Sequence, residues 1–266
     1  MPAIQPGWEP KAPAAGIGGG RRSIGAGGRE KENEPHPKPP APSLLPFPRP
    51  TRGVLFDLDG TLVDSEPLHF ESTNRVLARF GFHLEASAFA GFIGSAEDLY
   101  WESLKGRFPL PGTPGELADL RTAEMLALLR ESKMETLPGV LPLLDFLDAA
   151  GIPRAIASSA PRPQIAASLR AAGLDSRFPV FLSGHEDVAR SKPAPDIYRA
   201  AAARLEVSPR DCIAVEDSAT GVAAARAAGV FVVAVPSPGH PDPALEEAHL
   251  LLDSLEDLLP YLERGA

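Results

Sequence analysis

The 266-residue chain has a single cysteine, Cys212, so it can form no internal disulfide. That cysteine lies in an apolar pattern, Cys212-Ile213-Ala214-Val215, where a buried inert thiol is expected rather than a nucleophile. No stretch of ~20 apolar residues occurs, which excludes a membrane-spanning helix on hydropathy, and no apolar run near the start has the length of a secretory signal. Positive charge is short: 26 Lys and Arg stand against 35 Asp and Glu. Seven of those cations but only four of the acids fall in residues 1–50, leaving that segment at +3 and the remainder at −12. So acidic a remainder is a poor general binder of nucleic acid, and an anionic substrate must be held by local cations. The expectation is a soluble, cytoplasmic, monomeric protein without nucleic-acid or membrane partners.

Residues 1–50 lack any helical or strand period. They hold 12 of the 30 prolines and 8 of the 24 glycines, a composition that builds no packed core. Runs such as Gly18-Gly19-Gly20 and Pro37-Lys38-Pro39-Pro40 predict a disordered extension. Its arginines are offset by Glu30, Glu32 and Glu34, which argues against a transit peptide or a nucleic-acid arm. A solvated extension or a misplaced start codon is the reading.

What the chain does have is Gly53-Val54-Leu55-Phe56-Asp57-Leu58-Asp59-Gly60-Thr61-Leu62-Val63-Asp64-Ser65-Glu66. Val54 to Phe56, with Leu58 across an aspartate, predict a short buried strand. Strand alternation puts Asp57 and Asp59 on one side while Leu58 turns into the core, and Gly60 ends the strand. Two carboxylates so close repel each other, and burial sharpens the conflict. A cation between them removes it, and oxygen-only ligands suit Mg2+. A strand ending in an ordinary Asp-Gly turn reads the same way locally, so the rest of the chain decides.

Beyond Pro67 the pattern is helical as far as about residue 134. Phe70, Val76, Leu77 and Phe80 form a stripe closed by Gly81. Ala96 to Leu104 is helix-like with Leu99, Tyr100 and Leu104 on one side, and Glu116 to Arg130 buries Leu117, Leu120, Met125, Leu128 and Leu129. From Leu137 on, helices alternate with strands at Ile152 to Ala157, Val180 to Leu182, Cys212 to Val215 and Val230 to Val235. A further short strand is expected at His249 to Leu252, followed by a closing helix from Ser254 to Leu262. This predicts an α/β fold, a Rossmann-like parallel sheet covered on both faces, with sites at the carboxyl ends of the strands. The helical block is a small inserted cap. The predicted domains are the extension 1–50, a core of 51–66 with 136–266, and a cap of 67–135.

Four polar clusters fall just past apolar strands: Asp57/Asp59, Ser158-Ser159, Lys192 in Arg190-Ser191-Lys192-Pro193, and Glu216-Asp217. Together they form a phosphoryl-transfer set. One carboxylate can attack phosphorus, a second can act as acid and base, and metal, lysine, hydroxyl and helix-start N–H groups can take the charge on phosphate oxygens.

The order of these clusters resembles the haloacid dehalogenase superfamily, in the subgroup with a helical cap after the first strand that contains phosphoglycolate-phosphatase-like and β-phosphoglucomutase-like proteins. The resemblance rests on Phe56 to Glu66, Ala157-Ser158-Ser159, Ser191 to Tyr198, and Val215 to Val222 with Ala227-Ala228-Gly229, and it covers about residues 52–260. It implies a Mg2+-dependent phosphatase acting on a small phosphorylated metabolite, with Asp57 as nucleophile and metal ligand. Asp59 would be the acid/base and would ligate metal through its carbonyl. Asp217 would be a direct ligand and Glu216 a nearby one. Ser158 and Lys192 would bind the transferring phosphate, with Ser159, Thr61 and His69 as further substrate contacts. Metal-free dehalogenases of the superfamily lack an acid at the position of Asp59.

A sugar-phosphate mutase would share all of these residues but needs a basic group in the cap loop. That loop, Gly91-Phe92-Ile93-Gly94-Ser95-Ala96-Glu97-Asp98, has none, and Pro161 stands where the mutase has lysine, although Arg162 adjoins it. Hydrolysis is favoured. A third possibility, a catalytically silent regulator, would have been marked by loss of Asp57, Asp59 or Asp217. Tyr100 and Trp101 fit either the substrate pocket or the interior of the cap.

Overall fold

The computed structural model describes residues 47, 50–92, 97–237 and 242–264. Six strands form one parallel sheet: β1 (Gly53–Phe56), β2 (Arg154–Ser158), β3 (Phe181–Ser183), β4 (Cys212–Glu216), β5 (Phe231–Ala234) and β6 (Leu250–Leu251), in the order β3-β2-β1-β4-β5-β6. The chain winds outward from β1 through β2 and β3, then returns to the other side of β1 as β4, β5 and β6. The reversal of strand order therefore lies between β1 and β4. The α/β, Rossmann-like expectation holds.

Burial explains why the strands are so uniformly apolar. Val54, Phe56, Ile156, Ile213, Val215 and Val233 face one layer, against Leu143, Leu144 and Leu147 of α5 (Val140–Ala150), Ile165 and Leu169 of α6 (Arg162–Ala171) and Leu262 of α9 (Leu259–Glu263). The alternate residues Leu55, Ala155, Ala157, Ala214, Val232 and Ala234 face the other, against Ile197, Tyr198 and Ala201 of α7 (Asp196–Arg204) and Val222 and Ala225 of α8 (Ala219–Ala228). A two-residue side-chain period with helices on both sides leaves no strand face for water.

The helices inserted after β1 have a hydrophobic cluster of their own. Val76 and Leu77 of α1 (Glu66–Ala78), Phe89 of the single turn α2 (Ala86–Phe89), Tyr100, Trp101 and Leu104 of α3 (Glu97–Arg107) and Leu117 of α4 (Pro114–Glu131) pack together. Helix α4 starts in a capping box. Thr113 Oγ1 accepts from Glu116 N at 3.2 Å, and Thr113 N donates to Glu116 Oε2 at 2.7 Å. Its later turns place Met125 and Leu129 in the sheet-side core, so one helix serves both hydrophobic centres. No helix among the described residues is long and apolar enough to cross a membrane.

The structure differs from the sequence-based expectation at several points. Strand β1 stops at Phe56, and Leu58 reaches the core from the loop beyond it. On α3 it is Trp101, with Tyr100 and Leu104, that is buried, while Leu99 is 63% exposed. Of the expected stripe Tyr100 and Leu104 are buried and Leu99 is not, Trp101 taking the third inward position, so both Tyr100 and Trp101 are interior to the inserted helices. The closing segment begins as a 3-10 turn, Leu255–Leu258, before α9. Phe47, inside the expected disordered extension, is buried. Its ring lies 5.3 Å from Phe231 and 5.8 Å from Tyr261, centroid to centroid. Proline-rich flanks do not prevent one large apolar ring from closing the rim of a core. Phe47→Ala should accordingly cost about 3 kcal/mol in urea unfolding. A loss below ~0.5 kcal/mol would show that the ring contributes nothing there.

Candidate active site

The carboxyl ends of β2, β1 and β4 lie side by side, and they carry Ser158, Asp57 and Glu216. Asp57 N donates to Val215 O at 3.0 Å, continuing the ladder one residue past β1 and fixing Asp57 beside Glu216. Lys192 arrives from the loop before α7, 3% exposed, with its Nζ donating to Asp57 Oδ1 and, at 2.6 Å, to Glu216 Oε1. Glu216 is closed to solvent. Its Oε1 also accepts from the Tyr198 hydroxyl, and its Oε2 from Ser218 Oγ at 3.0 Å. Its carboxylate lies against Gly221 in the first turn of α8, where a Cβ would collide with it.

Asp217 is held by Thr61 Oγ1, which donates to Oδ1 at 3.4 Å, and by Ser237 Oγ, which donates to Oδ2 and lies 3.2 Å from Gly60 O. This brings the loop after β5 against the loop after β1. Gly60 has φ +79°, and any Cβ there would strike the Asp217 carboxylate and Ser237 Oγ. Asp59 faces His69 on α1, with Nε2 3.8 Å from Oδ1, within ion-pair range but too long for a hydrogen bond. Buried Asp59 Oδ1 and Ser65 Oγ have no hydrogen-bond partner among the described residues.

Ser158 Oγ accepts from Ala160 N at 3.1 Å, shaping the turn into α6 rather than capping it, since the helix begins at Arg162. Exposed Ser159 lies 3.4 Å from Ser191 Oγ. Asp57, Asp59, Asp217, Glu216, Lys192, Ser158, Ser159, Thr61 and His69 are thus all gathered at one edge of the sheet. Ser237 and Tyr198 were not foreseen. A serine just past an apolar strand was the available signal for the first, while the second is an aromatic on the sheet-facing side of an alanine-rich helix and reads as core.

The electrostatics show too little positive charge. Burial raises Asp57 well above the ordinary carboxylate range, opposed by Lys192 and reinforced by Glu216, Asp217 and Asp59. Burial and Glu216 push Asp217 up to about 7 despite Ser237 and Lys192. Burial would raise Asp59 too, but the facing His69 overcomes it and holds that carboxyl below its usual value. Lys192 is raised, since its two carboxylate partners outweigh its burial.

Among the described residues, no three His, Cys, Asp or Glu side chains form a ready-made metal cage. Mg2+ does not require one, because it binds through one or two carboxylates and keeps waters and substrate oxygens for the rest. Oxygen-only donors and several buried carboxylates against one lysine fit that cation.

Comparison with known proteins gives the family. The model of the haloacid dehalogenase-like hydrolases matches residues 51–229. The chain belongs to that family. Within it, the chain is 36% identical over 207 residues to hexitol phosphatase A of Escherichia coli, covering 78% of this chain and 93% of that one. A variant of CbbY from Rhodobacter sphaeroides, in complex with xylulose-(1,5)bisphosphate, superposes with a TM-score of 0.68 at 29% identity, covering 78% and 96%. A putative β-phosphoglucomutase from Thermotoga maritima gives 0.67 at 29%, covering 81% and 100%. In this haloacid dehalogenase-like hydrolase, Gly60→Ala should cost about 2 kcal/mol or more, from the left-handed backbone and the collision with Asp217. Urea unfolding with an unchanged midpoint would refute the close fit assigned to that loop.

Proposed function

We propose that this enzyme, a phosphoric monoester hydrolase, is a Mg2+-dependent phosphatase of the sugar- or polyol-phosphate class that works through phosphorylation of Asp57. The observation that carries the reading is the position of Asp57: a buried carboxylate at the strand-order reversal, tied to Lys192, with Asp59 two residues on and facing His69. Two relatives, a hexitol phosphatase and a CbbY variant complexed with a sugar bisphosphate, support the substrate class.

In this mechanism an Asp57 oxygen attacks phosphorus, and the bond from phosphorus to the leaving alcohol oxygen breaks as Asp59 donates that oxygen a proton; Asp59, ionised in the free enzyme, takes that proton from the bound phosphomonoester monoanion. Asp59 then removes a proton from water, which attacks the phospho-Asp57 phosphorus, and inorganic phosphate leaves with Asp57 restored. Lys192 and Ser158 receive the nonbridging oxygens, and His69 orients Asp59. Asp57, Asp217 and the Asp59 carbonyl would hold Mg2+, which supplies positive charge to the phosphate oxygens. Glu216, already occupied by Lys192, Tyr198 and Ser218, serves as support for the lysine rather than as a ligand.

The mutase reading has a structural neighbour but loses its candidate cation. The Arg162 guanidinium pairs with Asp187 and lies 5.2 Å over the Phe181 ring. Of the cap loop, residues 93–96 lie outside the described residues. A silent regulator is not favoured, because every carboxylate of the set is present.

Asp57→Asn should lower turnover at least ~10³-fold with the circular-dichroism spectrum of the folded wild type retained, and substantial residual phosphate release would remove Asp57 as nucleophile. EDTA should abolish phosphate release and Mg2+ restore it, whereas indifference to chelation would point to metal-free chemistry. Across hexitol phosphates, hexose phosphates and β-glucose 1-phosphate, net phosphate release is expected; conversion of the last to glucose 6-phosphate without release would select the mutase.

A further inference from the structure

Resting on the phosphatase reading, we infer that Tyr198 is a positioning residue for phosphate: its hydroxyl locks Glu216, and through Glu216 it sets where the Lys192 ammonium points. Tyr198 lies on α7, closed to solvent, with Ile197 and Ala201 beside it against the sheet. A tyrosine placed there for packing alone needs no hydroxyl, and burying one without a partner is costly. This hydroxyl donates to Glu216 Oε1, the same oxygen that receives Lys192 Nζ at 2.6 Å.

The donor count explains what the arrangement achieves. An ammonium has three N–H groups and no acceptor. One goes to Asp57 Oδ1 and one to Glu216 Oε1, which leaves the third to be aimed by the first two. Its aim is only as fixed as Glu216. That carboxylate is clamped at both oxygens, by Tyr198 at Oε1 and Ser218 at Oε2, and its flank rests on Gly221, where no side chain would fit. The Tyr198 ring adds a second restraint, since Lys192 Nζ lies 5.3 Å from its centroid in a cation–π contact. One side chain thus holds the lysine twice, directly through its ring and indirectly through Glu216. The two restraints can be separated: Tyr198→Phe keeps the ring and its packing, and removes only the hydroxyl.

The consequence concerns the transition state. With Glu216 free to rotate, Lys192 would still neutralise Asp57 but would meet the phosphate oxygens in a spread of directions, and its stabilisation depends on fixed geometry. Loss of the hydroxyl should therefore act on kcat more than on KM.

The test is a double-mutant cycle with Tyr198→Phe, Glu216→Gln and both together, read as kcat and KM in Mg2+ with the best phosphomonoester. Binding of inorganic phosphate by titration calorimetry is measured in parallel. Tyr198→Phe should lower kcat about tenfold, the scale of one hydrogen bond to a charged group, with KM within about twofold and the folded circular-dichroism spectrum retained. In the Glu216→Gln background the same substitution should have little further effect, because residues acting through one contact are not additive. Phosphate binding should weaken in step with KM, by about twofold with Tyr198→Phe, and should show the same non-additivity. An unchanged kcat in Tyr198→Phe, or an equal fold-loss in both backgrounds, would overturn the inference. Should wild type prove inactive on every phosphomonoester, the phosphatase reading fails, and the phosphate-binding cycle alone still tests the Tyr198–Glu216–Lys192 link.

Discussion

Lys192 places a single ammonium between Asp57 and Glu216 in a space almost closed to water, while Asp217 and Asp59 stand close by. Removing one partner from such a buried arrangement leaves an uncompensated charge, which is far more costly than losing a surface pair. Much of the surrounding structure serves to keep these groups where they are. The parallel register of β1 with β4 sets Asp57 beside Glu216, Gly221 gives the Glu216 carboxylate room, and Gly60 lets Asp217 and Ser237 close onto the first loop. Even so, the carboxylates outnumber the cations. That surplus is the physical reason a divalent cation belongs in the account.

The reversal of strand order explains why the site is at this edge. At β1 the two halves of the sheet diverge, so the loops after β1, β2 and β4 can approach one another without crossing. The cap enters directly from the first of these loops. Residue 66 both ends the loop that carries Asp57 and Asp59 and begins α1, so His69 faces Asp59 within one turn. Helix α4 contributes to both hydrophobic clusters and so packs the inserted helices onto the sheet-side core. In the proposed function the sheet supplies the reaction and the cap selects the substrate.

Most of the fold was legible because its strands are short apolar runs ended by acid, serine or proline, and those signals are local. The grouping of Asp57/Asp59, Ser158-Ser159 and Glu216-Asp217 was legible because each follows such a run, whereas Lys192 arrives from the loop before α7. What was not legible depended on contacts distant in sequence. Phe47 reads as part of a proline-rich tail until Phe231 and Tyr261 are seen to meet it. Ser237 reads as loop until the turn at Gly60 brings Asp217 to it. The phase of α3, with Trp101 inward and Leu99 outward, is set by the neighbours that receive the ring, and its own residues fit either stripe. Glu216 shows the same limit. Its acid type suggested a metal ligand, whereas its hydrogen bonds to Tyr198, Ser218 and Lys192 are visible only in the folded chain.

The central claim is that phosphate passes through Asp57. Borohydride reduces an acyl phosphate to the alcohol, so a phosphorylated aspartate quenched during turnover becomes homoserine, which peptide mass spectrometry can place in the sequence. With a turned-over phosphomonoester and Mg2+, the account predicts homoserine at position 57, dependent on substrate and absent from Asp57→Asn. Steady turnover with no homoserine at 57, or with the label at another carboxylate, would contradict it.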